Sequence, residues 1–205
     1  MRETRLPLWI KICGLTDEAA VSAALQAGVD AIGFVFSPSP RQITPAAAAK
    51  LAAPARGRAL CIAVTRHPKQ AVLDAIVREF RPDGWQTDIE DLSVLRVPRT
   101  LPILPVLRSG SAALQCAPRR FLFEGPLSGQ GASADWSEAA RLAVHSQLIL
   151  AGGLSADTAG AAIATVRPFG VDVSSGVEDQ PGRKSPALIM AFAAAARMAH
   201  AQLMP

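Results

Sequence analysis

The sequence contains no tyrosine, and aromatic residues make up only 5% of its 205 residues. Its basic residues give a formal net charge of +4, but they are scattered singly or in pairs such as Arg119-Arg120, without a basic stripe. Proteins that bind single-stranded nucleic acid combine clustered cations with stacking aromatics. The composition therefore argues against a nucleic-acid partner and leaves small anionic ligands open.

Cysteine and long hydrophobic runs are also sparse. The three cysteines, Cys13, Cys61 and Cys116, are odd in number and show no Cys-x-x-Cys spacing, which indicates neither a disulfide framework nor a zinc site. No uncharged apolar run is long enough to cross a bilayer, and residues 1–5 are not followed by a signal-peptide core. We therefore expect reduced thiols, no metal, no membrane partner and a cytoplasmic location.

A regular alternation of short β-rich runs and Ala/Leu-rich helical patterns extends along the whole chain, which is typical of βα units around a parallel sheet. Strands are predicted at 8–12, 31–36, 58–64, 83–86, 101–106, 119–123, 147–151 and 170–173. Helices are predicted at 17–27, 45–53, 68–79, 89–95, 110–115, 136–144, 155–166 and 185–203. Eight such units, with no Gly-x-Gly-x-x-Gly turn after the first strand, predict a closed (β/α)8 TIM barrel formed as one domain by residues 1–205.

Cys13 ends the first predicted strand, and in such a barrel the functional groups lie at the carboxyl ends of the strands. Free cysteine is most often a buried packing residue, and Cys61 fits that description because it lies inside an apolar run. Cys13 could act as a base only if nearby cations or helix N-termini lowered its pKa. Both interpretations of Cys13 stay open at this point. The histidines show no metal-like or nucleophile-activating context and are assigned no chemistry: His67, His145 and His200.

Two glycine-containing stretches follow the seventh and eighth strands. Gly152 and Gly153 separate a strand from a helix, so that their N–H groups can approach an anion near the positive end of a helix dipole. Ser174, Ser175 and Gly176 add two hydroxyls and further N–H groups. A lone glycine pair would indicate only a tight turn, but the loops after these two strands commonly bind phosphate in barrels. Together they predict a phosphate site.

Two charged residues follow other predicted strands at the same edge. Arg41 lies in the Pro-rich stretch GFVFSPSPRQI, and its planar cation suits a carboxylate or an aromatic ring. Glu124 follows the apolar run 121–123, where partial desolvation would raise the carboxyl pKa and allow general-acid catalysis near neutral pH. The alternative for each residue is a solvated surface charge.

Four motifs in order and spacing resemble the phosphoribosylanthranilate isomerase family of tryptophan biosynthesis over essentially the whole chain. They are KICGLT, GFVFSPSPR, LAGGL and VDVSSGVEDQPGRK, of which the first and last are the most specific. The resemblance implies a cofactor-free Amadori rearrangement of N-(5'-phosphoribosyl)anthranilate to 1-(2-carboxyphenylamino)-1-deoxyribulose 5-phosphate. It implies a small phosphosugar as the partner, and we expect a monomer or a homodimer.

The resemblance also assigns roles to residues of this sequence. Cys13 would be the general base that removes the C2 proton of the sugar, and Glu124 would be the general acid that protonates the furanose ring oxygen. Arg41 would hold the anthranilate moiety, and Asp172 would lie near the anthranilate nitrogen. The phosphate would be held by Gly152, Gly153, Ser174, Ser175 and Gly176.

The sequence departs from the family pattern at three places. Glu124 stands where the family usually has Asp, which moves the carboxyl by one methylene, and we expect a compensating backbone shift at Gly125-Pro126. The usual Gln-Leu-His-Gly after the fourth strand keeps Gln86 but has Asp88 in place of His. The stretch SGQGASADW lacks the usual Thr and Lys.

Two other functions are weighed against this isomerase. A catalytically degenerate barrel that only binds phosphosugars is suggested by the departures at Glu124 and Asp88. A histidine-pathway aminoaldose isomerase would typically carry paired Asp residues on strands one and five. The present sequence has Cys13 and Pro105-Val106 at those places, which disfavours that enzyme.

Overall fold

The computed structural model describes residues 7–111, 117–125 and 134–203. Eight parallel strands form a closed barrel in chain order, and the ring is completed by pairing of the last strand with the first. The strands are β1 Trp9–Cys13, β2 Ala31–Val35, β3 Leu60–Val64, β4 Gly84–Asp88, β5 Ile103–Arg108, β6 Arg120–Glu124, β7 Gln147–Leu150 and β8 Gly170–Val173. The predicted (β/α)8 barrel is confirmed.

Six α-helices surround the described part of the barrel. They are α1 Glu18–Gln26, α2 Pro45–Ala52, α3 Gln70–Ala75, α4 Trp136–Ala143, α5 Ala156–Val166 and α6 Pro186–Gln202. Side-chain caps explain where several of them begin, because a cap satisfies N–H groups that have no partner inside the helix. Thr44 caps α2 before a proline at its first position, and Ser155 with Thr158 forms a capping box on α5.

Two predicted elements differ from the structure, and most of a third lies outside the described residues. The helix predicted at 68–79 is α3 followed by a π-helical turn, Ile76–Phe80, and the one predicted at 89–95 is a 3₁₀ segment, Ile89–Ser93. Of the helix predicted at 110–115, residues 112–116 lie outside the described residues, and residues 110–111 are not helical. Short polar segments without a sustained period of 3.6 residues carry too little signal to fix the helix type.

A short hairpin after β8 was not predicted. A 3₁₀ turn at Ser175–Val177 leads into β9 Glu178–Gln180, which pairs antiparallel with β10 Arg183–Lys184. Strands of two and three residues are too short for a pattern of alternation to appear in the sequence. Gly182 turns the hairpin in the left-handed region (φ 83°) and lies directly against the backbone of Pro40. The hairpin therefore packs on the loop that carries Arg41.

Two layers of buried apolar side chains stabilise the barrel. The larger lies between strands and helices and includes Trp85, Phe34, Phe80, Phe121, Phe123 and Phe192. The smaller fills the barrel interior with Leu104, Val106, Leu122, Ile149 and Ala151. Cys61 belongs to the outer layer, where burial raises the pKa of its thiol to about 11. This agrees with the packing role that the sequence predicts for Cys61.

Candidate active site

A polar cleft of about 390 Å³ opens at the carboxyl ends of β1 to β6 and β8. Five of the residues predicted for the site line it: Cys13, Arg41, Glu124, Asp172 and Ser174. The four other predicted residues lie on the adjacent loops after β7 and β8: Gly152, Gly153, Ser175 and Gly176. Strand ends that are far apart in the sequence meet here because the barrel brings all carboxyl ends to one face.

Cys13 lies beside a buried ion pair on the inner face of the barrel. Lys11, two residues earlier on β1, has its Nζ atom 2.8 Å from Oδ1 of Asp172 on β8. The lack of a side chain at Gly33 of β2 makes room for both neighbours, because a Cβ there would lie 3.1 Å from Sγ of Cys13 and 3.2 Å from Nζ of Lys11. The ammonium and the thiol therefore share one small space at the mouth.

The pKa of the Cys13 thiol lies above its ordinary value, and not below it as a general base would require. Burial is the largest cause, because it disfavours the thiolate, and the Lys11 ammonium acts in the opposite direction without outweighing it. Lys11 also pairs with Asp172, whose negative charge further disfavours the thiolate. The sequence left a buried packing role and an activated thiol both open for Cys13, and it could not show how deeply the thiol is buried.

Arg41 belongs to a hydrogen-bonded network of charged groups that the sequence analysis did not find. Its Nε and Nη2 atoms donate to the two carboxylate oxygens of Glu178 at 2.6 and 2.9 Å. Lys184, whose side chain is fully buried, donates to Glu178 Oε1 at 2.7 Å and to the Ser174 carbonyl oxygen at 2.9 Å. The Ser174 hydroxyl in turn donates to the Cys13 carbonyl oxygen at 3.1 Å.

These hydrogen-bonded groups link the loop that carries Arg41, the hairpin and the end of β8. Burial alone would raise the pKa of Glu178, but hydrogen bonds from Arg41 and Lys184 lower it below the ordinary value. Glu178 and Lys184 lie in the motif VDVSSGVEDQPGRK, from which only the residues up to Gly176 were considered for binding. The alternation of charge across the hairpin is the signal that could have found them.

Gly14, directly behind Cys13, leaves space for the stem of Arg41. It adopts φ 78°, and a Cβ at this position would lie 2.6 Å from Cδ of Arg41. A glycine is therefore required both by the left-handed backbone and by the close approach of that side chain. Gly14 therefore allows the stem of Arg41 to pass directly behind Cys13 at the end of the first strand.

Gln86 offers an acceptor inside the cleft. Its side chain lines the cleft from β4, and its Oε1 atom is buried without a hydrogen-bond partner among the described residues. A buried polar atom without a partner costs free energy, on the order of 1–3 kcal/mol. A ligand that donates a hydrogen bond at this place would remove that cost.

The loops after β7 and β8 lie backbone to backbone. Gly152 and Gly153 have φ angles of 87° and 68°, and they lead into the capped N-terminus of α5. A Cβ at Gly176 would overlap the Leu154 carbonyl group, lying 2.9 Å from its carbon atom. Only glycine at position 176 permits this contact, which brings the backbone of both loops to the helix N-terminus, a favourable place for an anion.

Gly176→Ala is expected to weaken binding of a phosphosugar at least about fivefold, because overpacking at this contact costs about 1–3 kcal/mol and moves the loops apart. The measurement is titration calorimetry with ribose 5-phosphate. Gly160→Ala in α5 is the matched control, since a Cβ there meets no atom within 4 Å. Equal affinities of the wild type and Gly176→Ala would show that the two loops do not hold the phosphate.

Glu124 ends β6 with its carboxylate against the guanidinium of Arg108, which ends β5. The same guanidinium contacts Asp88, the last residue of β4. The expected backbone adjustment involves Gly125 and Pro126, and Pro126 lies outside the described residues. Residues 128–133 of the altered stretch 128–136 are outside them as well, so that the effect of its missing Thr and Lys stays a prediction.

Metal and membrane features were searched over the described ranges 7–111, 117–125 and 134–203. Within these ranges no group of three or more His, Cys, Asp or Glu side chains is arranged to hold a metal ion. None of the helices within the same ranges has the length and apolar character needed to span a membrane.

The closed parallel barrel with a polar cleft at the carboxyl ends of its strands defines the class of (β/α)8-barrel proteins, which place their functional sites at that end. The family model described as N-(5'-phosphoribosyl)anthranilate (PRA) isomerase matches residues 10–195. The chain belongs to this family of isomerases.

Individual relatives agree with this membership. An N-(5'-phosphoribosyl)anthranilate isomerase of Brucella canis is 40% identical over 217 aligned positions, which cover 96% of this chain and 97% of the relative. The crystal structure of phosphoribosyl anthranilate isomerase from Thermotoga maritima has a TM-score of 0.80 at 26% identity and covers 93% of this chain and 99% of its own. A phosphoribosyl anthranilate isomerase in complex with reduced 1-(o-carboxyphenylamino)-1-deoxyribulose 5-phosphate has a TM-score of 0.77 at 26% identity, with the same coverage.

Proposed function

We propose that this protein converts N-(5'-phosphoribosyl)anthranilate into 1-(2-carboxyphenylamino)-1-deoxyribulose 5-phosphate, as an intramolecular oxidoreductase of the aldose–ketose isomerase type in tryptophan biosynthesis. The family membership and the relative that binds the reduced form of this product support the proposal. The observation that carries it is the convergence of a thiol, a carboxyl and a guanidinium on one cleft: Cys13, Glu124 and Arg41.

The reaction needs an acid first and a base second. Glu124 donates a proton to the furanose ring oxygen, and the ring opens to a Schiff base. Arg108 then stabilises the carboxylate that remains on Glu124. Glu124 must carry a proton when the step begins, so that its contact with Arg108 is most favourable after proton donation.

The thiolate of Cys13 next removes the proton from C2 of the sugar, which gives an enolamine that tautomerises to the ketone. C2 is oxidised and C1 is reduced within one molecule, so that the electrons balance without a cofactor. Lys11 lies beside the thiol and stabilises the thiolate when it forms. Deprotonation of the Cys13 thiol is therefore the step that burial of the site makes unfavourable.

The other site residues serve binding. Arg41 would hold the anthranilate carboxylate or lie against its ring, and Asp172 would lie near the anthranilate nitrogen. The backbone of Gly152, Gly153 and Gly176 would hold the phosphate, with Ser174 and Ser175 nearby. Ser174 already donates its hydroxyl to Cys13, so its hydroxyl would need to reorient if it were to donate to the phosphate.

Further properties of the molecule stay predictions alongside this function. We propose that residues 1–205 form one barrel domain, that the protein acts as a monomer or a homodimer in the cytoplasm, and that its partner is the small phosphosugar alone. A catalytically degenerate barrel is the second candidate, because Glu124 and Asp88 replace the residues usual in the family.

Freshly prepared N-(5'-phosphoribosyl)anthranilate is expected to be consumed by the wild-type protein, with loss of anthranilate-type fluorescence as the measurement. Cys61→Ala serves as the matched thiol control, because Cys61 is packed in the outer layer away from the cleft. Binding of the reduced product analogue without turnover would instead establish the degenerate barrel.

A further inference from the structure

We propose that Asp88 and Arg108 are positioning residues that fix the carboxyl group of Glu124, so that Asp88 and Glu124 compensate each other across one guanidinium. The inference rests on the proposed function, because it concerns the acid of that reaction. The proposal goes beyond that function because it assigns a role to Asp88, which stands where the family commonly has His.

The three residues end three neighbouring strands. Asp88 ends β4, Arg108 ends β5 and Glu124 ends β6, and the registers pair Arg108 directly with Glu124. Arg108 contacts Glu124 through Nη1 and Asp88 through Nη2. A planar guanidinium that holds one carboxylate on each nitrogen fixes their separation, because its donors cannot rotate independently. The position of Glu124 thus depends on where Asp88 holds the arginine.

Asp88 also has neighbours at its second carboxylate oxygen. Its side chain is only 5% exposed, and its Oδ2 atom lies 3.3 Å from Nε2 of His67 and 3.6 Å from Nε of Arg66. The orientation of His67 is restrained by Asp91, because Nδ1 and the backbone N of His67 lie 2.9 and 3.1 Å from the two carboxylate oxygens of Asp91. Asp91 is buried and also accepts a hydrogen bond from the Thr87 hydroxyl. This network therefore places His67 and Arg66 beside Oδ2 of Asp88, the carboxylate oxygen that does not contact Arg108.

His67 shows that this network imposes a definite geometry. Its φ angle is 47°, in the left-handed region that residues other than glycine rarely adopt and that costs of order 1–3 kcal/mol. The two contacts with Asp91 hold the residue in this conformation. Neither the strain nor the contacts could be seen in the sequence, where His67 was assigned no chemistry.

The longer side chain of Glu124 explains why such a clamp is needed. Glutamate has one more rotatable bond than the aspartate usual in the family, so its carboxyl samples more positions unless a partner holds it. A displacement of 1 Å in a reacting group can lower the rate about a hundredfold. Because both departures from the family contact the same guanidinium, the carboxylate at position 88 supplies the anchor that the longer acid requires.

A double-mutant cycle with Asp88→Asn and Glu124→Asp tests the coupling. Asp88→Asn is expected to lower kcat about tenfold with less than about a threefold change in KM, because it displaces the acid and leaves substrate binding intact. The effects of the two changes are expected not to multiply, since Asp88 matters less when the acid is short. Asp88→His combined with Glu124→Asp restores the family pair and should be more active than Glu124→Asp alone.

Asp74→Asn, which removes an exposed carboxylate on α3, is the charge control and should leave kcat unchanged. Multiplicative effects of Asp88→Asn and Glu124→Asp, or no gain in the family pair, would overturn the proposal. Crystal structures of the wild type and Asp88→Asn give a readout that does not need activity: the Glu124 carboxyl should shift or lose order in the variant. An unchanged carboxyl would overturn the positioning role, whereas a shifted carboxyl in an inactive wild type would refute only the proposed function.

Discussion

Cys13→Ser is expected to lower kcat for the rearrangement about 10²- to 10⁴-fold, the contribution that proton transfer by a positioned group makes to rates, while leaving the affinity for the reduced product analogue within about threefold. A serine hydroxyl fills almost the same space beside Lys11 but does not ionise in the accessible pH range. Steady-state turnover and calorimetric binding measure the two effects separately. Retention of more than about a tenth of kcat would assign the base to another group.

The pH dependence follows from the raised pKa of the Cys13 thiol. Because the base acts as thiolate, and burial raises the pKa above its ordinary value, only a small fraction is ionised at neutral pH. The kcat/KM of Glu124→Gln, in which no acid titrates, should therefore increase as the pH rises from about 7 towards about 9, in the direction of that pKa. In the wild type this increase is offset, because the reaction also needs Glu124 to be protonated. Adding Cys61→Ala to Glu124→Gln should leave the increase unchanged. A Glu124→Gln profile that is flat over this range would mean that thiol ionisation does not limit the reaction.

Glu124→Gln is expected to lower kcat on the order of 10² to 10³-fold, because the amide keeps the shape of the side chain but has no acidic proton to give to the ring oxygen. The amide also forms a weaker hydrogen bond with Arg108 than the carboxylate does. Steady-state kinetics with the phosphoribosyl substrate measure the loss.

The control for this prediction is Glu79→Gln, which neutralises an exposed carboxylate paired with Arg78 at the end of the π-helical turn. It should leave kcat unchanged. If Glu124→Gln kept a third or more of the wild-type kcat, the proton would come from another donor. The substitution of Glu for the usual Asp would then be a harmless departure from the family pattern.

The order of strands and helices is largely a local property, and most of it could be predicted from the sequence. Parallel strands buried on both faces appear as continuous apolar runs, and helices appear as Ala/Leu periodicity, so that eight βα units could be counted. The carboxyl end of each strand was then known, which selected Cys13, Arg41 and Glu124 for the mouth of the barrel, and the family resemblance added Asp172. All four line the cleft. The short hairpin was missed because five residues in two strands carry no detectable period.

The environment of each site residue was decided by the tertiary structure. Lys11 and Asp172 are 161 positions apart, and Arg41 and Glu178 are 137 positions apart, but they are paired because β1 closes the barrel against β8 and the hairpin packs on the loop after β2. A pKa depends on burial and on such partners, which no local pattern encodes. The sequence by itself therefore determined the barrel, the family and some of the residues at its mouth, but not Arg108. Only the closed structure decided that the Cys13 thiol is buried with a raised pKa, and that Arg108 joins Glu124 to Asp88, since both depend on the packing of side chains from different strands.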